Sequence, residues 1–93
     1  MGDQCSAKLT ITNTQGLHAR PAMDFAQSAM GFVSDILVRT KSEQADGKSV
    51  MELMLLAAIK GTEIEVICKG DDAKEALKHL ASLVNNGFHE EDE

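Results

Sequence analysis

The sequence predicts an α+β fold: a mainly antiparallel four-stranded sheet with three helices on one face, in the order β-α-β-β-α-β-α. Three observations carry this expectation. Apolar and polar residues alternate with a period of two in short segments, and apolar stripes recur at helical spacing in others. The chain has 93 residues, 43% of them hydrophobic, which suits one core and leaves no room for a second. Strands with one apolar face and helices with one apolar stripe satisfy each other by stacking in two layers.

Over residues 7–12, Leu9 and Ile11 alternate with Lys8, Thr10 and Thr12, which predicts the first strand. Asn13-Thr14-Gln15-Gly16 interrupts it with turn formers, and Ala22, Phe25, Ala26, Ala29 and Met30 then follow helical spacing up to Gly31. Ile36 and Val38, between Asp35 and Arg39, mark a second strand over 33–40, and a short third strand covers 43–45. Asp46-Gly47-Lys48 turns the chain. Ser49 and Glu52 form an S-x-x-E capping box at the head of an apolar segment reaching Ile59, which predicts the second helix. After Lys60-Gly61, Ile64, Val66 and Cys68 alternate with Glu63, Glu65 and Ile67 as the fourth strand. Gly70-Asp71-Asp72 caps a third helix whose stripe is Ala73, Ala76, Leu77, Leu80, Leu83 and Val84, and Asn85-Asn86-Gly87 stops it.

Residues 1–93 are expected to form one domain with flexible ends at 1–6 and 89–93. Net charge is −6 and the last residues are acidic, which excludes a nucleic-acid backbone as partner because polyanions attract basic surfaces. Two cysteines, Cys5 and Cys68, give neither a disulfide framework nor a metal-ligand pair at useful spacing, so a reducing, cytoplasmic setting is expected. No apolar run approaches the roughly 18–20 residues of a membrane span, and the start lacks the regions of a signal peptide. Met1-Gly2-Asp3-Gln4-Cys5-Ser6 satisfies a loose N-myristoylation pattern that arises often by chance.

The chemistry centres on Gly16-Leu17-His18-Ala19-Arg20-Pro21-Ala22, which places a histidine at the mouth of the first helix. First-turn N–H groups and the positive helix end favour an anion there by about 0.3–1 kcal/mol, up to ~2 when partly buried. Imidazole, with an unperturbed pKa of about 6.5, presents a nitrogen lone pair to phosphorus at neutral pH. Arg20 keeps its charge and offers several donors to phosphoryl oxygens. Pro21 is tolerated in a first turn and stiffens the backbone beyond the histidine, while Gly16 permits a sharp turn or a positive φ before it. A single histidine ahead of a helix is more often a solvated cap than a nucleophile, so the weight rests on the full string.

That string, with the element order, resembles the HPr family, the histidine-containing phosphocarriers of the bacterial phosphoenolpyruvate-dependent phosphotransferase system, over Lys8 to Phe88. The resemblance implies the family's open-faced β-sandwich. It also implies that His18 is phosphorylated through the ring nitrogen nearer the backbone, that Arg20 assists transfer, and that Ser49 matches a second, regulatory phosphorylation site. The implied partners are an enzyme I-type donor charged from phosphoenolpyruvate, a IIA-type acceptor and, in some members, an HPr kinase/phosphorylase. No cofactor, metal, nucleic acid or membrane is implied, and a monomer is expected. The carrier is then a phosphoryl-transfer intermediate more than an independent enzyme.

Several readings stay open at this level. Ser49 is accounted for as a helix N-cap, a role worth ~1 kcal/mol without any phosphorylation. Leu17, Val50, Met51 and Met54 form either an apolar docking patch beside His18 or part of the core. Asp24, Gln27 and Ser28 stand where many sugar-branch members carry lysines. Pro21-Ala22-Met23, the run Leu53–Ala58 and the ending Asn86-Gly87-Phe88 look more like the nitrogen-branch members, NPr. His79, off its helix stripe, and His89, in the acidic tail, are expected to face water. The alternative function is a regulatory protein acting mainly through Ser49 phosphorylation and docking; a small ligand-binding module would need a concave polar site.

Overall fold

A computed structural model describes residues 3–89 of the chain. Its elements are β1 (Asp3–Thr10), α1 (Ala19–Met30), β2 (Asp35–Arg39), β3 (Gln44–Asp46), α2 (Val50–Leu55), β4 (Glu63–Gly70) and α3 (Ala73–Asn85), followed by a 3-10 turn at Gly87–His89. The sheet order is β1-β4-β2-β3 and every ladder is antiparallel. This is the βαββαβα open sheet that the alternation and stripes predict.

Alternation sets the two faces. Leu9, Ile36, Val38, Ala45, Ile64, Val66 and Cys68 point into the core and meet Ala22, Phe25, Ala26, Ala29, Leu53, Ala73, Ala76, Leu80 and Val84 from the helices. Helix α3 packs over β1 and β4, and α1 packs against α2 and α3. The other sheet face is open: Leu37 and Ile67 stand opposite each other there half-buried, and Arg39 Nε donates to Glu65 Oε1 across the strands at 2.9 Å. Such an exposed pair is worth about 0–1 kcal/mol, so the aliphatic core, not this ion pair, holds the layers together.

Two boundaries differ most from expectation, the start of β1 and the end of α2, each because a bond between distant segments competes with a local pattern. β1 begins at Asp3, whose partner is Gly70, so residues 3–6, expected to be flexible, are strand. Residues 1–2 and 90–93 of the two ends expected to be flexible, with the head of the myristoylation-like string, lie outside the described residues, and His89 closes the 3-10 turn. Helix α2 stops at Leu55 and does not reach Ile59. Ala57 takes φ +52, which turns the chain so that Ala58 O accepts the Leu17 N–H at 2.8 Å and Ile59 N donates to Thr62 Oγ1 at 3.1 Å. Those bonds serve groups that a continued helix would have paired internally.

Asp72 occupies the N-cap of α3, yet its carboxylate turns to another loop. It accepts from Val33 N at 2.9 Å, Ser34 N at 3.0 Å and Ser34 Oγ at 2.5 Å, tying the end of α1 to the start of α3. The Ser34 hydroxyl first, then the Val33 amide, hold the Asp72 carboxyl below its usual value of 3.8. A folded value below the unfolded one stabilises the protein above pH 3.8, and this contribution is lost as pH falls through the folded value. Urea midpoints measured from pH 6 downward are expected to fall more steeply for wild type than for Asp72→Asn; parallel curves would remove Asp72 from the acid response.

Candidate functional site

The site is built by the chain between β1 and α1. Ile11 N donates to Thr62 O at 2.9 Å and Gly61 N returns a bond to Ile11 O at 2.8 Å, so the strand leaves the ladder anchored to the loop after α2. Asn13, almost fully buried, then closes a tight turn: its Nδ2 donates to Gly16 O at 2.8 Å while Gly16 N donates to Asn13 O at 3.1 Å. Gly16 sits at φ +69, and a Cβ on it would lie 2.4 Å from Ala58 O and 2.8 Å from Ile59 Cα. Glycine is required here both for the backbone angle and for the approach of the loop after α2. Sequence reading identified Asn13 as a turn former and missed its role as the buried clamp.

His18 is the N-cap residue of α1, extended at φ −80 and ψ −170, and half-buried. Its carbonyl accepts the Ala22 N–H at 3.0 Å, which leaves its ring outside the helical ladder. The N–H groups of Ala19 and Arg20 have no acceptor within the helix by geometry, and Pro21, buried, carries none. None of the first-turn residues is acidic, and Arg20 is exposed in that same turn. The structure therefore places an imidazole, a guanidinium and the positive end of a twelve-residue helix on one exposed rim.

Helix α2 stands beside this rim, packed on α1. Ser49 is its N-cap, with Oγ accepting from Glu52 N at 3.2 Å. The predicted capping box is only half formed. Ser49 N donates to Asp46 O at 3.0 Å, so the Glu52 carboxylate accepts from Asp46 N at 2.9 Å instead of from Ser49 N. Of the four residues expected in an apolar patch, Met51 (75% exposed) and Met54 are at the surface, Val50 is half-buried against the core, and Leu17 is buried at 5%. Leu17 is drawn inward because its N–H reaches Ala58 O and its side chain fills the core beneath the loop.

Leu55 (71% exposed), Ile59 (67%) and Met23 are further exposed apolar residues on α2, the loop after it and α1, and were missed in the sequence. Leu55 lies within α2 on the side away from buried Leu53, and Ile59 lies beyond the end of the helix. Met23 lies three residues beyond Arg20, hence on the same face of α1. Of the positions compared with lysines, Gln27 is exposed while Asp24 and Ser28 are half-buried. His79 is exposed on α3 with its ring 5.9 Å from that of Phe32, and His89 is exposed. Among the described residues no group of three or more His, Cys, Asp or Glu is placed to hold a metal ion, and no helix is long and apolar enough to cross a membrane.

Residues 5–86 match the family model described as the PTS HPr component phosphorylation site. The chain is 44% identical over 82 residues to the phosphocarrier protein HPr of Neisseria meningitidis serogroup A, covering 88% of this chain and 92% of that protein. It is 40% identical over 82 residues to the phosphocarrier protein NPr of Escherichia coli K12, covering 87% and 91%. Among solved structures, HPr-C-His from Thermoanaerobacter tengcongensis superposes with a TM-score of 0.89 at 38% identity, covering 94% of this chain and 98% of that one.

Proposed function

The chain belongs to the HPr family of phosphotransferase-system phosphocarriers, and from that premise we propose that it accepts a phosphoryl group on His18 from an enzyme I-type donor and passes it to a IIA-type acceptor. The observation that carries this reading is the half-buried imidazole at the N-cap of α1 with Arg20 in the adjoining turn. A ring nitrogen attacks the phosphorus carried by the donor, and the new P–N bond forms as the bond between phosphorus and the donor breaks, leaving that electron pair on the donor. Charge in such a transfer spreads over three equatorial oxygens, so positioning and electrostatics supply most of the protein's help. Arg20 meets those oxygens with a delocalised cation, and the first-turn amides add oriented donors without further rearrangement.

The apolar surface of Met23, Met51, Met54, Leu55 and Ile59 is the docking face for both partners in this reading, with buried Leu17 and half-buried Val50 supporting it from below. Partners that meet the rim there exclude water from the transfer. A cytoplasmic, monomeric carrier agrees with this use. The lack of lysine in α1, whose sequence is ARPAMDFAQSAM, favours a nitrogen-branch acceptor.

Incubation with enzyme I and labelled phosphoenolpyruvate is expected to place an acid-labile label on the protein. Failure to label would sink the relay. In the same assay, the double variant Met51→Asp, Met54→Asp is expected to fold normally and to accept label about tenfold more slowly or worse, because charges replace apolar contacts at a desolvated interface. Unchanged rates would strip the methionines of a docking role.

A second reading, regulation through Ser49, draws on the position of this N-cap next to exposed Met51. A phosphate there would set a dianion on the docking face and repel acidic partners. The hydroxyl's bond to Glu52 N shows that it already has a structural use, so capping comes first.

A further inference from the structure

The two cysteines are 63 positions apart in the sequence, Cys5 against Cys68, and carry no spacing signal. The fold removes that separation: in the β1–β4 ladder Cys5 is the direct partner of Cys68. Both are free thiols. They also share a face, since Cys5 alternates with Ala7 and Leu9, and Cys68 with Val66 and Ile64, toward the helical layer. We propose that Cys5 and Cys68 form a redox-active dithiol, convertible by a low-molecular-weight disulfide such as oxidised glutathione into an intramolecular disulfide that staples β1 to β4.

The ladder's phase sets the geometry. Ile11 N donates to Thr62 O, so counting back in twos makes 9↔64, 7↔66 and 5↔68 the pairs that exchange backbone bonds. Partners of that kind have Cα atoms about 5.5 Å apart, inside the roughly 4.4–6.8 Å that a disulfide spans. Their Cβ atoms, about 5 Å apart, must close by on the order of 1 Å to reach disulfide geometry. The adjustment is available to β1, an outermost strand with β4 as its ladder neighbour. A bond made under such tension is readily reduced again, which suits a reversible link more than a permanent one.

Exposure orders the two steps. Cys5 is half-buried and reacts first: its thiolate attacks one sulfur of oxidised glutathione, forming a mixed disulfide and releasing one glutathione thiol. Cys68 is fully buried, and its thiol is pushed up to about 11 by that burial, with Cys5 and Asp72 adding. Its thiolate attacks the Cys5 sulfur of the mixed disulfide in the slower step and releases the second glutathione. Two protein thiols are oxidised, one glutathione disulfide is reduced, and the thiol protons leave on the two glutathiones. The product prevents the edge strand β1 from leaving its sheet, the event that opens such strands to exchange between chains.

The test is equilibration of the folded protein with excess oxidised glutathione, followed by intact mass measurement. Wild type is expected to become two hydrogens lighter as a single chain and to unfold at a higher temperature than its reduced form. Cys68→Ala should stop at a stable Cys5–glutathione adduct, and Cys5→Ser should stay unmodified. Since Cys68 lies in the core and its replacement lowers stability, Cys5→Ser, changed at a half-buried position, is the variant that keeps the test valid. A glutathione adduct as the end point in wild type, a disulfide-linked dimer, or no reaction would each overturn the proposal.

Discussion

His18→Ala is expected to reduce the acid-labile label from phosphoenolpyruvate and enzyme I to background, while the protein keeps its wild-type unfolding temperature within a few degrees. The first-turn bond does not need an imidazole: the His18 carbonyl accepts the Ala22 N–H, and alanine preserves that bond. The chain holds two further histidines, but His79 sits against Phe32 on α3 and His89 in the terminal 3-10 turn, neither at a helix N-terminus. Neither offers the anion-favouring environment that His18 has. Arg20→Ala in the same assay is expected to retain labelling at a rate lower by roughly 100-fold, the usual order for removing one donor from developing charge. Full labelling of His18→Ala would end the claim for this residue, and an unaffected Arg20→Ala would confine catalysis to the partners.

Gly16→Ala is expected to be the most damaging single methyl group in the site. A non-glycine residue at left-handed φ costs about 1–2 kcal/mol. The added Cβ also meets Ala58 O at 2.4 Å and Ile59 Cα at 2.8 Å, both backbone atoms with little freedom to retreat. Overpacking of that kind costs about 1–3 kcal/mol. The sum, about 2–5 kcal/mol, corresponds to a loss of roughly 10 °C or more in Tm for a domain of this size. Gly61→Ala is the control: φ is +92, but the new methyl enters open space among the described residues, so only the backbone cost applies. Equal Tm values for the two variants would show that the close approach of the loop after α2 is not what demands glycine. Below its Tm, Gly16→Ala should also label slowly, because relief of the clash pulls apart the Leu17–Ala58 bond that sets the height of His18.

How much was legible follows from which forces act locally. The strand alternation at Leu9 and Ile11 and at Ile64–Cys68, the stripe from Ala73 to Val84, and Ser49 as a cap are patterns decided within a few residues, and they held. Asp72 illustrates the limit. An aspartate before a helix reads as a cap, yet two amides and a hydroxyl from the segment after α1 outbid the helix for its carboxylate. Leu17 illustrates it again: beside His18 it reads equally as docking surface or as core, and the bond from its N–H to Ala58 O makes it core.

By itself, the sequence determined the layer architecture and the placement of an imidazole and a guanidinium at the head of a helix, because side-chain periodicity and first-turn geometry are short-range consequences of the backbone. Only the tertiary structure decided where α2 stops, which methionines and aliphatics face outward beside His18, and that Cys5 lies opposite Cys68. Each of these depends on bonds between segments tens of residues apart, where the competition for buried N–H and C=O groups has no signature in local spacing.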